Sequence, residues 1–201
     1  MFKTFLDLVY FDRDPCATRG LYDDWSGSYD VEMTGNGYVT PARCAQALAS
    51  FAADTSLPLL DFGCGTGLAG LAFRDSGFSV LDGVDLSGEM IAQADAKGIY
   101  RNLTPVEADT PIPGGYPFIA AVGVIGAGAA PLSVLDMLLH ALPPGGLLVF
   151  SFNDLTLADP ASMGRLNEWL DCGAARLLFA EHGAHLPEKN IQSTVYVVEK
   201  A

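Results

Sequence analysis

Residues 59–70 read LLDFGCGTGLAG: an apolar run enters a glycine-punctuated turn and leaves it as a helical pattern. Gly65, Gly67 and Gly70 satisfy GxGxxG, and Asp85 lies about 20 residues further on, at the end of the next apolar run. A strand, a glycine turn and a helix in that order form the first unit of an open α/β sheet. Its glycines let the backbone approach a ligand lying across the strand ends. A turn built only for tightness has no use for carboxylates on both sides, so the bracketing by Asp61 and Asp85 points to a binding site.

Outward from this turn, apolar strands alternate with helical segments separated by Gly, Pro and Asp, the pattern of a doubly wound sheet. Strands are expected at 57–62, 78–85, 103–108, 118–124, 147–152, 175–181 and 191–199. The spacing predicts helices at 40–53, with Thr40 as N-cap and Pro41 first, then at 67–75, 87–97, 132–142 and 160–171. Ser87 caps the third of these, and Pro143-Pro144-Gly145-Gly146 breaks the fourth. The continuous apolar run at 147–152 suits a central strand. The resulting expectation is one domain over 1–201. A helical cap over about 1–30 extends as a lid to residue 40, and a core follows from 41.

Half of the residues are hydrophobic and 17% are charged, which places the chain among globular proteins rather than disordered ones. A formal net charge of -13, with Lys and Arg scattered singly, disfavours a nucleic-acid substrate and suits a small-molecule acceptor. Cys16, Cys44, Cys64 and Cys172 form no CxxC pair and have no histidines at ligand spacing. No metal site or disulfide framework is expected, and a cytoplasmic location follows. Nothing approaches the length of a membrane span.

Two cofactors compete for the glycine turn. A dinucleotide brings a pyrophosphate to the helix start. Asp61, two residues before Gly63, would then face an anion, at a cost of roughly several kcal/mol for a pair ~4 Å apart at intermediate dielectric. S-adenosylmethionine (SAM) carries a sulfonium and an ammonium and no phosphate, so an acidic turn favours it. Asp85 serves either cofactor, because both carry a ribose diol. An NAD(P)-dependent oxidoreductase is therefore the alternative reading.

The chain resembles the class I SAM-dependent methyltransferases. The resemblance rests on Asp61-Phe62-Gly63-Cys64-Gly65-Thr66-Gly67, on Gly83-Val84-Asp85-Leu86-Ser87 with Met90, on Ala108-Asp109, and on Pro144-Gly145-Gly146. More narrowly it is similar to the group of the methyltransferase-like protein encoded in the Williams–Beuren syndrome region and its bacterial relatives, through residues 22–30 (YDDWSGSYD), Gly37-Tyr38, Val122-Gly123-Val124 and Val195-Tyr196-Val197-Val198. The resemblance implies a Rossmann-like sheet of seven strands, mostly parallel with the last antiparallel, and SAM as cofactor. Asp61 would orient the turn and the methionine end, and backbone at Gly63, Cys64, Gly65 and Gly67 would line the cofactor. Asp85 would take the ribose hydroxyls, Leu86 and Met90 would flank the adenine, and Asp109 would accept from its amine. Backbone at Ala121 and Val122 would meet the methionine amino group, with Tyr22, Trp25 and Tyr29 in a lid above.

Two departures bear on acceptor chemistry. Pro117 stands where an acidic residue is common, and Ala127 and Ala129 stand where relatives often carry histidines. A SAM-binding protein without transferase activity is therefore a third reading. Methyl transfer from a sulfonium needs no general acid, and needs a base only for an acceptor of high pKa. Candidates for a base are few. His140 is expected on a helix surface, and His182 and His185 in a solvated loop between the last two strands. No Ser or Cys nucleophile motif accompanies them. Asp154 either contacts substrate or caps the next turn. Tyr22, Trp25 and Tyr29 either wall a flat or cationic acceptor or pack as core. Trp169 reads as core, and Cys64 as a small residue that contributes backbone.

Overall fold

In the computed structural model, which describes residues 4–9, 11, 14–108, 110–126 and 128–201, apolar residues on successive strands alternate between two faces of one sheet. Its strands are β1 (Leu59–Phe62), β2 (Leu81–Asp85), β3 (Asn102–Pro105), β4 (Phe118–Ala121), β5 (Leu147–Asn153), β6 (Ala175–Leu186) and β7 (Ile191–Lys200). They lie in the order β3-β2-β1-β4-β5-β7-β6. β1 to β5 run parallel, while β7 pairs antiparallel with both β5 and β6. This is the Rossmann-like sheet with its last strand reversed that the resemblance implied.

The period-two alternation builds two cores. Ile119 and Ala121 of β4, Leu148, Phe150 and Phe152 of β5, and Tyr196 and Val198 of β7 pack on one face. That face is covered by α7 (Ser133–Ala141) and α9 (Pro160–Asp171), through Leu135, Leu138 and Leu166. Phe118, Ala120, Leu147, Val149, Val195 and Val197 point the other way, onto α4 (Thr40–Ala49) and α5 (Leu68–Asp75). α6 (Gly88–Ala96) follows β2, with Ser87 accepting from the Met90 N–H at 3.0 Å as its cap. The chain reverses winding between β1 and β4, where open α/β sheets place ligands.

The N-terminal cap comprises α1 (Phe5–Leu8), α2 (Pro15–Trp25) and α3 (Tyr29–Gly35). Asp14 starts α2 by accepting from the Ala17 N–H at 2.8 Å, ahead of Pro15 in the first turn. Leu6, Trp25 and Met33 form a third core with Met90 and Leu186, which seats the cap over the carboxyl ends of the strands. Among the described residues no helix is long and apolar enough to cross a membrane.

Several elements differ from the sequence expectation, for identifiable reasons. β2 begins at Leu81 rather than 78, because Phe78 packs edge-on against Phe73 and Phe118 before the ladder starts. Val39, not Thr40, occupies the N-cap of α4. The Thr40 hydroxyl is committed elsewhere, to His185 and Ser193. β6 runs to Leu186, with register shifts at Leu177/Phe179 and Ala184/Leu186, so His182 and His185 lie in a strand and not in a loop. A short 3-10 turn at Pro187–Lys189 makes the reversal.

Candidate functional site

At the carboxyl end of β1 the Gly63 and Cys64 N–H groups both donate to the Val84 carbonyl, at 2.8 and 3.0 Å. Gly63 has φ of 70°, and a Cβ there would come within 2.5 Å of Val124 Cγ2. Only glycine permits both the left-handed backbone and that approach. The turn then places the Gly65 N–H on Asp85 Oδ2 at 2.8 Å, while the Ser87 N–H donates to Oδ1 at 2.9 Å. Burial raises the Asp85 pKa and these N–H groups pull it back, so its carboxylate is held with lone pairs left over for a ligand.

Asp61, one residue inside β1, is 1% exposed. Its Oδ2 accepts from the Tyr100 hydroxyl at 2.6 Å, and its Oδ1 has no partner among the described residues. Burial pushes its pKa up to about 7; the Tyr100 bond opposes this and neighbouring Asp85 adds to it. A folded pKa above the unfolded value stabilises the ligand-free chain below the unfolded pKa of 3.8, and that stability is lost as pH rises through about 7. Thermal melts between mildly acidic and alkaline pH should therefore show the ligand-free chain losing stability. Asp61→Asn, which cannot ionise, should lose on the order of 2–4 kcal/mol less than wild type over that span. Parallel curves for the two proteins would contradict the burial assigned to this carboxyl.

The turn opens onto a cleft of about 980 Å³ that is open to solvent at its mouth. Gly63, Gly65, Asp85, Leu86, Met90 and Val122 line it, and Tyr22 and Tyr29 of the cap close it from above. Its lining carries Asp85 and Glu107 and, among the described lining residues, no Lys or Arg, although Arg19 of α2 pairs with Glu107 at 2.5 Å. Gly67 starts α5 in a left-handed conformation, outside the cleft lining. Cys64 is buried outside the cleft lining, and burial raises its thiol pKa well above the ordinary value. Ala121 is fully buried in the ladder opposite Phe150, leaving Val122 and Gly123 to face the cleft. Trp25 is 1% exposed and donates through Nε1 to Glu32 at 2.8 Å; it lies outside the cleft lining but lines the adjoining cavity on the far side of Gly123. Asp109 and Ala127 lie outside the described residues.

A second cavity, of about 550 Å³, lies on the other side of Gly123 and shares Tyr22, Tyr29, Gly123 and Ala129 with the cleft. Tyr38, Ser151, Asn153, Thr156 and His185 line it together with apolar groups that include Leu6 and Met33. His185, expected in a solvated loop, is 5% exposed. Its Nδ1 lies 2.8 Å from the Thr40 hydroxyl, and its ring meets Tyr38 edge-on. Asp154 is not the cap of the next turn. Asn153 caps α8 (Asp154–Leu157), and Asp154 accepts from the Gln192 N–H at 3.0 Å. His140 is exposed on α7, and Trp169 is half-buried with its Nε1 donating to Asp136.

Acidic residues of the cap, which the aromatic pattern overshadowed, tie it to the site. Asp30 accepts from the Thr66 hydroxyl inside the glycine turn at 2.5 Å and pairs with Lys97 at 2.8 Å. Lys97 in turn donates to the Thr66 carbonyl at 2.6 Å, and Asp23 accepts from the Ser87 hydroxyl at 2.5 Å. The signal was present in YDDWSGSYD as three carboxylates, Asp23, Asp24 and Asp30, in an N-terminal segment. Their partners are distant in sequence, so only the fold reveals them.

The comparisons with known proteins agree with this geometry. A family model described as a methyltransferase domain matches residues 38–194. Methyltransferase-like protein 27 of Homo sapiens is 33% identical over 134 residues, covering 64% of this chain and 54% of that protein. The match thus spans about half the length of that relative. Magnesium protoporphyrin IX methyltransferase from Synechocystis PCC 6803, solved with bound SAM, superposes with a TM-score of 0.65 at 15% identity, over 92% of this chain and 97% of that one. A SAM-dependent methyltransferase from Thiobacillus denitrificans, solved with S-adenosyl-L-homocysteine, gives 0.57 at 12% identity over 79% and 91%. At such identities the superpositions speak for the fold alone. With the family model covering most of its length and the glycine turn in place, the chain belongs to the methyltransferase-domain family.

Proposed function

We propose that the chain is a SAM-dependent methyltransferase acting on a small molecule held in the cavity beside Gly123. The observation that carries this reading is the charge of the cleft: Asp85 lines it with no cationic partner in the lining, Asp61 stands behind the turn with a partnerless oxygen, and Glu107, the other lining carboxylate, is paired with Arg19. Such a site suits a nucleoside with a cationic tail and opposes a pyrophosphate.

Asp85 would hold the ribose hydroxyls with lone pairs unused by the Gly65 and Ser87 N–H groups. Leu86 and Met90 would flank the adenine, and backbone at Gly63, Gly65 and Val122 would line the remainder. Asp61, poised near neutrality, would charge in response to the cationic end, so that ligand binding offsets its loss of stability at alkaline pH. When bound, SAM supplies an electrophilic methyl on sulfur, and the thioether departs neutral without an acid. The protein's part is alignment and the exclusion of water, up to ~7–11 kcal/mol in favourable intramolecular cases. Residues 1–40 act as a lid over a core at 41–201, with Tyr22 and Tyr29 at the junction of cleft and cavity.

The test is incubation of the full chain with methyl-labelled SAM and a library of small aromatic and aliphatic acceptors, followed by extraction of labelled product. Label in one chemical class supports the transferase. SAM bound with label in none would reduce the chain to a SAM-binding protein.

A further inference from the structure

The cavity beside Gly123 is lined by one imidazole, His185, whose Nδ1 side meets a buried chain of hydroxyls. Arg43 on α4 donates through Nη1 to the Ala184 carbonyl at 2.8 Å, to the Ser193 carbonyl at 3.1 Å and to Ser193 Oγ at 3.2 Å. A guanidinium only donates, so Ser193 Oγ accepts there. Ser193 Oγ lies 3.2 Å from Thr40 Oγ1, and Thr40 Oγ1 lies 2.8 Å from His185 Nδ1. Each hydroxyl has a single proton. Arg43 already fills one acceptor place on Ser193 Oγ, and the arrangement that spends each hydroxyl proton within the chain has Ser193 donating to Thr40 and Thr40 donating to Nδ1. Thr40 and Ser193 are fully buried, so water does not intervene. In that arrangement the imidazole accepts at Nδ1 and carries its proton on Nε2.

Three tyrosines, Tyr22, Tyr29 and Tyr38, and the aliphatic Leu6, Met33 and Ile125 make up much of the remaining wall, with Ser151, Asn153 and Thr156 as neutral polar groups. Among the described lining residues none is Asp, Glu, Lys or Arg. Taking the proposed function as the starting point, we infer that the cavity binds an uncharged aromatic acceptor through a carbonyl or hydroxyl oxygen that accepts from His185 Nε2–H. His185 is then a specificity-determining donor and not the base that removes an acceptor proton. Burial, and after it the nearby Arg43 charge, hold its pKa down to about 4 against a smaller opposing pull from Asp154. The ring consequently stays neutral at working pH, and an anionic acceptor gains no ion pair here.

Long-range 1H–15N correlation on the histidine-labelled full chain at neutral pH tests the tautomer directly. His185 should show a protonated Nε2 and an unprotonated Nδ1, and Thr40→Val should abolish that preference. A protonated Nδ1 in the wild type would overturn the inference. Acetophenone and benzoate, titrated in the same experiment with S-adenosylhomocysteine present and absent, test the ligand class. Acetophenone should shift the Nε2 resonance and benzoate should not. His185→Phe should weaken acetophenone about tenfold, as expected for one lost buried hydrogen bond, and His185→Gln should retain more of the affinity. Benzoate binding more tightly than acetophenone, or acetophenone leaving the wild-type Nε2 resonance unmoved, would contradict the assignment even if the variants fail to fold. S-adenosylhomocysteine binding is read independently in these titrations. Its absence alongside a normal His185 response would remove the methyltransferase reading and leave the neutral-ligand site standing.

Discussion

Asp85→Ala should weaken SAM binding by about 1.5–3 kcal/mol, roughly 10- to 150-fold, the usual cost of losing hydrogen bonds to a charged group. The side chain has two tasks in the ligand-free chain. It ties the Gly65 N–H of the glycine turn to the Ser87 N–H at the start of α6, and it presents its remaining lone pairs at the edge of the cleft. Asp85→Asn separates them. An amide keeps one accepting oxygen for the backbone but cannot take both ribose hydroxyls, so its affinity should fall between wild type and alanine. Titration calorimetry checks both variants, and an unchanged affinity in Asp85→Ala would remove the ribose assignment.

Gly70→Ala should destabilise the fold by on the order of 3–5 kcal/mol, far more than an alanine inside a helix ordinarily does. Gly70 lies on α5 with Tyr100 laid across it. An added Cβ would overlap the Tyr100 hydroxyl and sit 2.5 Å from Cζ and 2.8 Å from Ile99 Cδ1. That hydroxyl is the donor to buried Asp61, so displacing it leaves the carboxyl without a partner as well as straining the packing. Tyr100→Phe removes the same bond by another route. The two changes should therefore be non-additive in denaturant unfolding, with a coupling of about 1–3 kcal/mol. Simple additivity would mean that the third glycine serves helix packing alone.

The glycine turn was readable because every constraint on it is local. Glycines at fixed offsets, Asp61 before them and Asp85 after the next strand define the turn and its ligand edge within one strand–helix–strand unit. The alternation of elements indicated a doubly wound sheet, the resemblance supplied its reversed last strand, and Ser87 as a cap needed only its own helix start. The second cavity was not readable. His185 depends on Thr40, 145 residues away in sequence, and Thr40 looked like a helix cap because the residues after it suit a helix start. The register shift at Ala184/Leu186 carries β6 past the point where alternation fades, and His185 is buried there. Trp25 combines both of the readings left open for it: Glu32 captures its indole N–H within the core of the cap, and it also lines the second cavity beside Tyr22 and Tyr29.

Calorimetric titration of the full chain with SAM, S-adenosylhomocysteine and NADH tests the cofactor assignment most directly, because the acidic cleft is what separates a sulfonium nucleoside from a pyrophosphate. Saturable binding of the first two with no heat from NADH is the predicted result. NADH binding in the absence of any response to the two sulfur nucleosides would contradict it, and would mean that Asp61 and Asp85 serve a dinucleotide after all.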